Sequence, residues 1–148
     1  MRFFSHYYIF LFLFALLSCK KDLDQIDQQV IEQYILDNNL LAESTSSGLH
    51  YIIDNQGSGD QPNSYSTVTI AYTGKLTDGE IFDQSPSTGA TFPLYNLIEG
   101  WQEGIPLFNE GGSGMLLIPS SLGYGSQEVG NIPKNSVLIF EINLIEVD

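Results

Sequence analysis

Nine residues of this chain could act together. Tyr72, Phe82, Phe92, Ile98, Trp101, Tyr124, Ile132 and Phe140 are aromatic or apolar and sit beside turns or glycines, and Asp83 follows Phe82 directly. Glycine-flanked aromatics suit a concave apolar pocket with a few polar groups at its rim. The chemistry open to such a pocket is noncovalent. It can seat an apolar ring, exclude water and offer a hydrogen bond. The same residues would also make an ordinary packed core. No nucleophile–base pair accompanies them. His6 falls in an apolar leader and His50 in a strand, where a lone histidine is more often structural than catalytic. No metal and no cofactor are expected.

The residues must be held by a few elements, and the central one is Leu97 to Ile105. It carries the only tryptophan. Trp101, Ile105 and Phe108 recur at helical spacing, so one short helix can point all three the same way. Gly100 allows a close approach or a sharp turn. Pro106 limits the helix, because a proline inside it would forfeit a backbone hydrogen bond.

Around this helix the chain reads as strands. Leu49–Ile53, Thr67–Leu76, Ile81–Asp83, Ser113–Pro119 and Ser136–Val147 are rich in apolar and β-branched residues. Asp78-Gly79 between two of them is a strong hairpin signal. In the last strand Leu138, Phe140, Ile142 and Leu144 share one face, and Val137, Ile139, Glu141, Asn143 and Ile145 the other. Leu122 to Pro133 is a glycine-rich loop, and Glu43 to Gly48 a polar linker. One short helix among four or five antiparallel strands makes an α+β domain. Ahead of it, Asp22 to Leu41 reads as a helix with Leu23, Ile26, Val30, Ile31, Tyr34 and Ile35 at steps of three and four. Asp22, Asp24 and Asp27 suit its dipole, and Asn38-Asn39 can end it. It would be a spacer, a docked helix or a dimerisation stem.

The spelling is specific. Tyr72-Thr73-Gly74-x-Leu76-x-Asp78-Gly79-x-x-Phe82-Asp83-x-Ser85 resembles the FKBP-type peptidyl-prolyl cis-trans isomerases. So do Ile98-x-Gly100-Trp101-x-Glu103-Gly104, Ile118-Pro119, Leu122-Gly123-Tyr124-Gly125 and Ile132-Pro133-x-Asn135-Ser136-x-Leu138-x-Phe140-Glu141. The blocks keep the family's order and nearly its spacing from Leu49 to Val147. The resemblance implies an antiparallel sheet wrapped around one short helix. It implies Trp101 as the floor under a prolyl ring, with Tyr72, Phe82, Phe92 and Phe140 as walls. It further implies Ile98 as an apolar edge and backbone donor, Asp83 and Tyr124 as polar contacts, and Leu97 and Ile132 at the rim. The partners implied are proline-containing polypeptides and macrolides such as tacrolimus or rapamycin. The chain departs from the family where Thr88 stands in place of an arginine that could pair with the aspartate, and where Leu94 replaces a common aromatic. Two other readings use the same residues: a proline-segment docking or assembly module with little activity, and a structural protein whose aromatics are core.

The first residues read as an address. Arg2 is followed by an uncharged apolar run from Ile9 to Leu17, of signal-peptide rather than membrane-spanning length. Leu16-Leu17-Ser18-Cys19 resembles the bacterial lipobox, in which the signal is removed before a cysteine that is then acylated. The expected division is a signal peptide over 1–18, a lipidated N-terminus and helical stem over 19–44, and the isomerase domain over 45–148. Such a protein would sit at the cell envelope, resembling the lipid-anchored branch of the family in Bacteroidetes-type bacteria. Lipid on Cys19 would consume the only thiol, so the fold would rely on its core. Eighteen Asp and Glu against five Lys and Arg give a net charge of −13. No basic patch is available for phosphates, which argues against a nucleic-acid partner.

Overall fold

The computed structural model describes residues 22–148. The expected signal segment 1–18 and Cys19 lie outside them.

Helix α1 covers residues 22–37. It stops before Leu41 because Asn39 takes a left-handed conformation, φ 52°. The Leu40 N–H then reaches back to the Ile35 carbonyl and the Asn39 N–H to Leu36, which satisfies two of the last helical carbonyls. Seven strands follow: β1 (Glu43–Ser44), β2 (His50–Asn55), β3 (Thr67–Lys75), β4 (Ile81–Gln84), β5 (Ala90–Pro93), β6 (Ser113–Ile118) and β7 (Leu138–Val147). Helix α2 (Glu99–Gly104) lies between β5 and β6. The strands form one antiparallel sheet in the order β1-β2-β6-β7-β3-β4, with β5 also pairing β3. The expected linker after α1 thus contains a short strand, β1, and Ala90–Pro93 adds another that the alternation did not single out. The Asp78-Gly79 hairpin forms with a three-residue loop, Thr77 to Gly79, in which Gly79 takes φ 90° and the Leu76 N–H donates to Glu80.

The alternation of β7 builds two cores. Leu138, Phe140, Ile142 and Leu144 face a main core with Val68, Ile70, Leu94, Trp101, Ile105 and Phe108. Ile139 and Val137 face the other way, where Ile31 of α1 packs with them and Leu117. Burying a side chain of this size stabilises by about 1.5–3 kcal/mol. α1 is therefore docked on the back of the sheet. Its buried stripe runs through Asp27 and Ile31 with Tyr34 and Ile35 at its edge, not through Ile26 and Val30, which are 53% and 37% exposed. Those two lie off the stripe by one helical position, and the stripe position between them carries a carboxylate.

α2 lies close against the concave face. Glycines four apart make this possible: a Cβ on Gly100 would stand 2.5 Å from Ile118 Cγ2, and one on Gly104 2.7 Å from Leu116 Cδ1. The helix ends at Gly104, and Pro106 falls in the 3₁₀ turn Ile105–Leu107 that continues it. Trp101, Ile105 and Phe108 all point into the main core, as their spacing predicts.

Candidate active site

The sheet's concave face and α2 enclose an open cavity of about 450 Å³. Tyr72 comes from β3, Phe82 and Asp83 from β4, and Phe92 from β5. Leu97 and Ile98 precede α2, which supplies Trp101. Tyr124 and Ile132 come from the loop between β6 and β7, and Phe140 from β7. All ten line this one cavity.

Trp101 is 4% exposed and forms the floor. Three rings meet it nearly edge to face: Tyr72 and Phe140 at 5.1 Å and Phe92 at 6.4 Å between centroids. Phe82 stands at 84° to Phe140, 5.5 Å away. This is the geometry aromatic quadrupoles favour. It leaves an apolar box with one open side. The indole Nε1–H has no acceptor among the described residues. Gly74 makes room for the walls, since a Cβ there would stand 2.7 Å from ring atoms of both Phe82 and Phe140.

Phe82 and Asp83 are consecutive, and in a regular strand they would face opposite ways. The pairing slips between Gly74 and Lys75: Gly74 opposes Asp83, but Lys75 opposes Ile81. Phe82 is the extra residue of a bulge, and both side chains reach the cavity. Asp83 accepts a hydrogen bond from the Tyr72 hydroxyl at 2.7 Å. Tyr72 therefore holds the aspartate, at a site where the family resemblance offered no arginine. Burial, and then the bond to Asp83 and its charge, push the Tyr72 phenol well above its ordinary value. Burial first and Asp83 second push up Tyr124. Both phenols keep their protons, and so stay donors, throughout the physiological range.

Ile98 is placed by its neighbours. Its carbonyl accepts from the Trp101 and Gln102 N–H groups, and the Gln102 side chain donates to the Leu97 carbonyl at 2.7 Å. The Ile98 N–H has no acceptor among the described residues. On the opposite rim, Val129 and Ile132 pair across a two-residue turn of Gly130 and Asn131, with Gly130 at φ 57°. Val129, Gly130, Asn131 and Asn96 also line the cavity and were not singled out from the sequence. Gly130-Asn131 is a readable turn signal, whereas nothing local marks Asn96. His50 stays in β2 against the Gly48 carbonyl, away from the cavity.

A curved antiparallel sheet closed over a short helix, with an aromatic box and a tyrosine–aspartate rim between them, defines an α+β domain with an apolar cavity on one face of its sheet. A family profile described as FKBP-type peptidyl-prolyl cis-trans isomerase matches residues 59–145, and the chain belongs to that family. An FKBP-type peptidyl-prolyl cis-trans isomerase FkpA from Aeromonas hydrophila is 39% identical over 138 residues, covering 90% of this chain and 52% of that protein. The outer membrane protein MIP of Legionella longbeachae is 42% identical over 104 residues, covering 68% of this chain and 45% of that one. The crystal structure of FkpA from Escherichia coli superposes with a TM-score of 0.76 at 30% identity, covering 98% of this chain and 74% of that one. The chain spans about half the length of the curated relatives it matches.

Proposed function

We propose that this chain is a peptidyl-prolyl cis-trans isomerase that accelerates X–Pro rotation in polypeptides folding at the cell envelope. The observation that carries the reading is the box itself: a buried tryptophan floor walled by three edge-on rings, with Asp83, Tyr124 and the Ile98 N–H at its rim. The prolyl ring rests on Trp101 between Tyr72, Phe82, Phe92 and Phe140. The Ile98 N–H donates to the substrate carbonyl. Asp83 and Tyr124 supply the polar contacts, and Leu97 and Ile132 close the edges.

Peptide rotation must break partial double-bond character, a barrier of ~18–20 kcal/mol. The two X–Pro isomers differ by only ~0.5–1 kcal/mol, so the task is to lower a barrier. Amide resonance separates charge, and a dry site disfavours charge separation. The twisted amide is less polar and is favoured there relative to the planar form. A donor and a shape fitted to the twisted geometry add binding that the ground state does not receive. A 1,000-fold acceleration needs only ~4 kcal/mol.

The relatives' names weigh against a docking module without activity. Tacrolimus or rapamycin would compete for the same box. The lipid on Cys19, the division at 1–18, 19–44 and 45–148, and an envelope location belong to the same proposal. They are supported by the lipobox-like start and by a relative named as an outer membrane protein. No helix among the described residues is long and apolar enough to cross a membrane.

The test is NMR exchange on a short X–Pro peptide with the full chain. Trp101→Ala should lower turnover at least ~100-fold, equivalent to ~2.7 kcal/mol of lost barrier reduction. The same change removes about 3–5 kcal/mol from the core, so the folded fraction is read in parallel by amide dispersion. Asp83→Ala, at the rim, should cost less activity. A folded Trp101→Ala protein with undiminished turnover rules the box out as the site.

A further inference from the structure

Asp27 is the one carboxylate on the buried stripe of α1, and it is 3% exposed. An apolar residue would dock the helix as well or better, because a buried charge gives weak net stability. Such a charge persists only if it is hydrogen-bonded. Asp27 Oδ2 accepts the Ser120 N–H at 2.8 Å and the Ser120 hydroxyl at 2.6 Å. Ser120 is itself buried and opens the 3₁₀ turn Ser120–Leu122 just after Pro119. Its carbonyl accepts the Gly123 N–H at 3.0 Å and the Gly125 N–H at 2.8 Å. Those two amides flank Tyr124. A continuous path of hydrogen bonds thus runs from the helix behind the sheet to both sides of a cavity tyrosine.

The path matters because Tyr124 sits between two glycines. Gly123 has φ −107° and ψ −119°, and Gly125 has φ 59°. A segment hinged on glycines has many backbone conformations of similar energy. Its single conformation must be imposed by hydrogen bonds. Ser120 takes both glycine N–H groups, while the Gly125 carbonyl accepts from the Asn135 N–H at 2.7 Å and the Tyr124 carbonyl from the Gln127 N–H at 3.2 Å, so Ser120 is the tie that leads to α1.

We propose that Asp27 is a positioning residue for the isomerase site, acting through Ser120 to fix the Gly123-Tyr124-Gly125 segment and so the Tyr124 hydroxyl at the rim. The proposal rests on the reading of Tyr124 as a substrate contact. Loss of the tie should cost about tenfold, below the ~100-fold that a 1 Å misplacement of a reacting group can cost.

The experiment uses the full chain with Asp27→Ala, Asp27→Asn, Tyr124→Phe and the Asp27→Ala/Tyr124→Phe pair. Isomerisation of an X–Pro peptide is measured with kcat and KM separated, alongside amide exchange at Gly123 and Gly125 and the Tyr124 ring resonances. Asp27→Ala should lower kcat/KM about tenfold, speed exchange at both glycines and shift the Tyr124 ring. Asp27→Asn keeps an acceptor oxygen and should restore part of the loss. In the Tyr124→Phe background Asp27→Ala should add less than about twofold, because contacts acting through one group do not add. Full additivity, or a folded Asp27→Ala protein with unchanged activity and an unmoved Tyr124 ring, overturns the proposal. If Asp27→Ala does not fold, Asp27→Asn and Ser120→Ala carry the same readouts. If the parent chain does not isomerise the peptide, the isomerase reading fails separately, and glycine exchange and the Tyr124 ring still decide whether Asp27 sets this segment.

Discussion

The rim of the cavity turns on one short bond, from the Tyr72 hydroxyl to Asp83. Its consequence for pH follows from the raised Tyr72 phenol. The folded protein binds that proton more tightly than the unfolded chain, whose tyrosines titrate near 10. The stabilisation is therefore fully present below pH ~10 and is lost as pH rises toward the folded value. Tyr72→Phe has no such proton to lose. Thermal melts from pH 8 to 12 should show wild type ahead of Tyr72→Phe at the low end, with the gap closing as pH rises. Much of the cavity was legible in the residue types: glycine beside aromatic, and a lone tryptophan on a short helix. The placing of Phe82 and Asp83 on one side was not. Consecutive residues share a face only because the β3–β4 register slips, and that slip is a property of the pairing rather than of either strand. Asp27 was equally opaque. An aspartate early in a helix reads as a dipole partner, and its burial depends on Ser120, distant along the chain but adjacent in space.

Among the elements, α2 shows how packing can override propensity. Alanine is a better helix former than glycine by about 1 kcal/mol. At Gly100 the added methyl would meet Ile118 on β6 at 2.5 Å, and overpacking of this kind costs about 1–3 kcal/mol. Gly100→Ala should therefore lower the urea midpoint rather than raise it. α1 is a second case. Its apolar spacing was visible from the sequence, but a stripe with Ile26, Val30 and Ile31 on adjacent positions does not say which side docks. The seat is set by Leu117, Val137 and Ile139 on the back of the sheet. Ile31→Ala should cost about 2–4 kcal/mol in denaturant unfolding of the full chain, as deletion of a fully buried branched side chain does elsewhere. A change below 0.5 kcal/mol would mean that α1 is not part of the cooperative unit.

Across the whole molecule the acidic excess acts on encounter rather than on chemistry. A net charge of −13 should draw basic unfolded clients faster at low ionic strength. Raising salt from ~10 to ~150 mM shortens the screening length from ~30 to ~8 Å. Isomerisation of a basic protein client should slow over that range while a neutral peptide is turned over at the same rate, and parallel slopes for the two would remove charge from the account. The sheet's outline bears on the same task. An open sheet has two free margins, and a margin with unpaired N–H and C=O groups is a template on which an extended chain can lay itself as one more strand. Here one margin is the two-residue β1 and, beyond it, the Ile52–Asn55 end of β2, and the other is divided between β4 and β5, with Pro86 in the connection between them. Each free run is four residues at most, and the one on β2 is interrupted by the register shift between Ile53 and Asn55, so both margins are short templates. On the proposed reading the cavity receives unfolded chains, and margins this short make the sheet a poor seed on which they could aggregate.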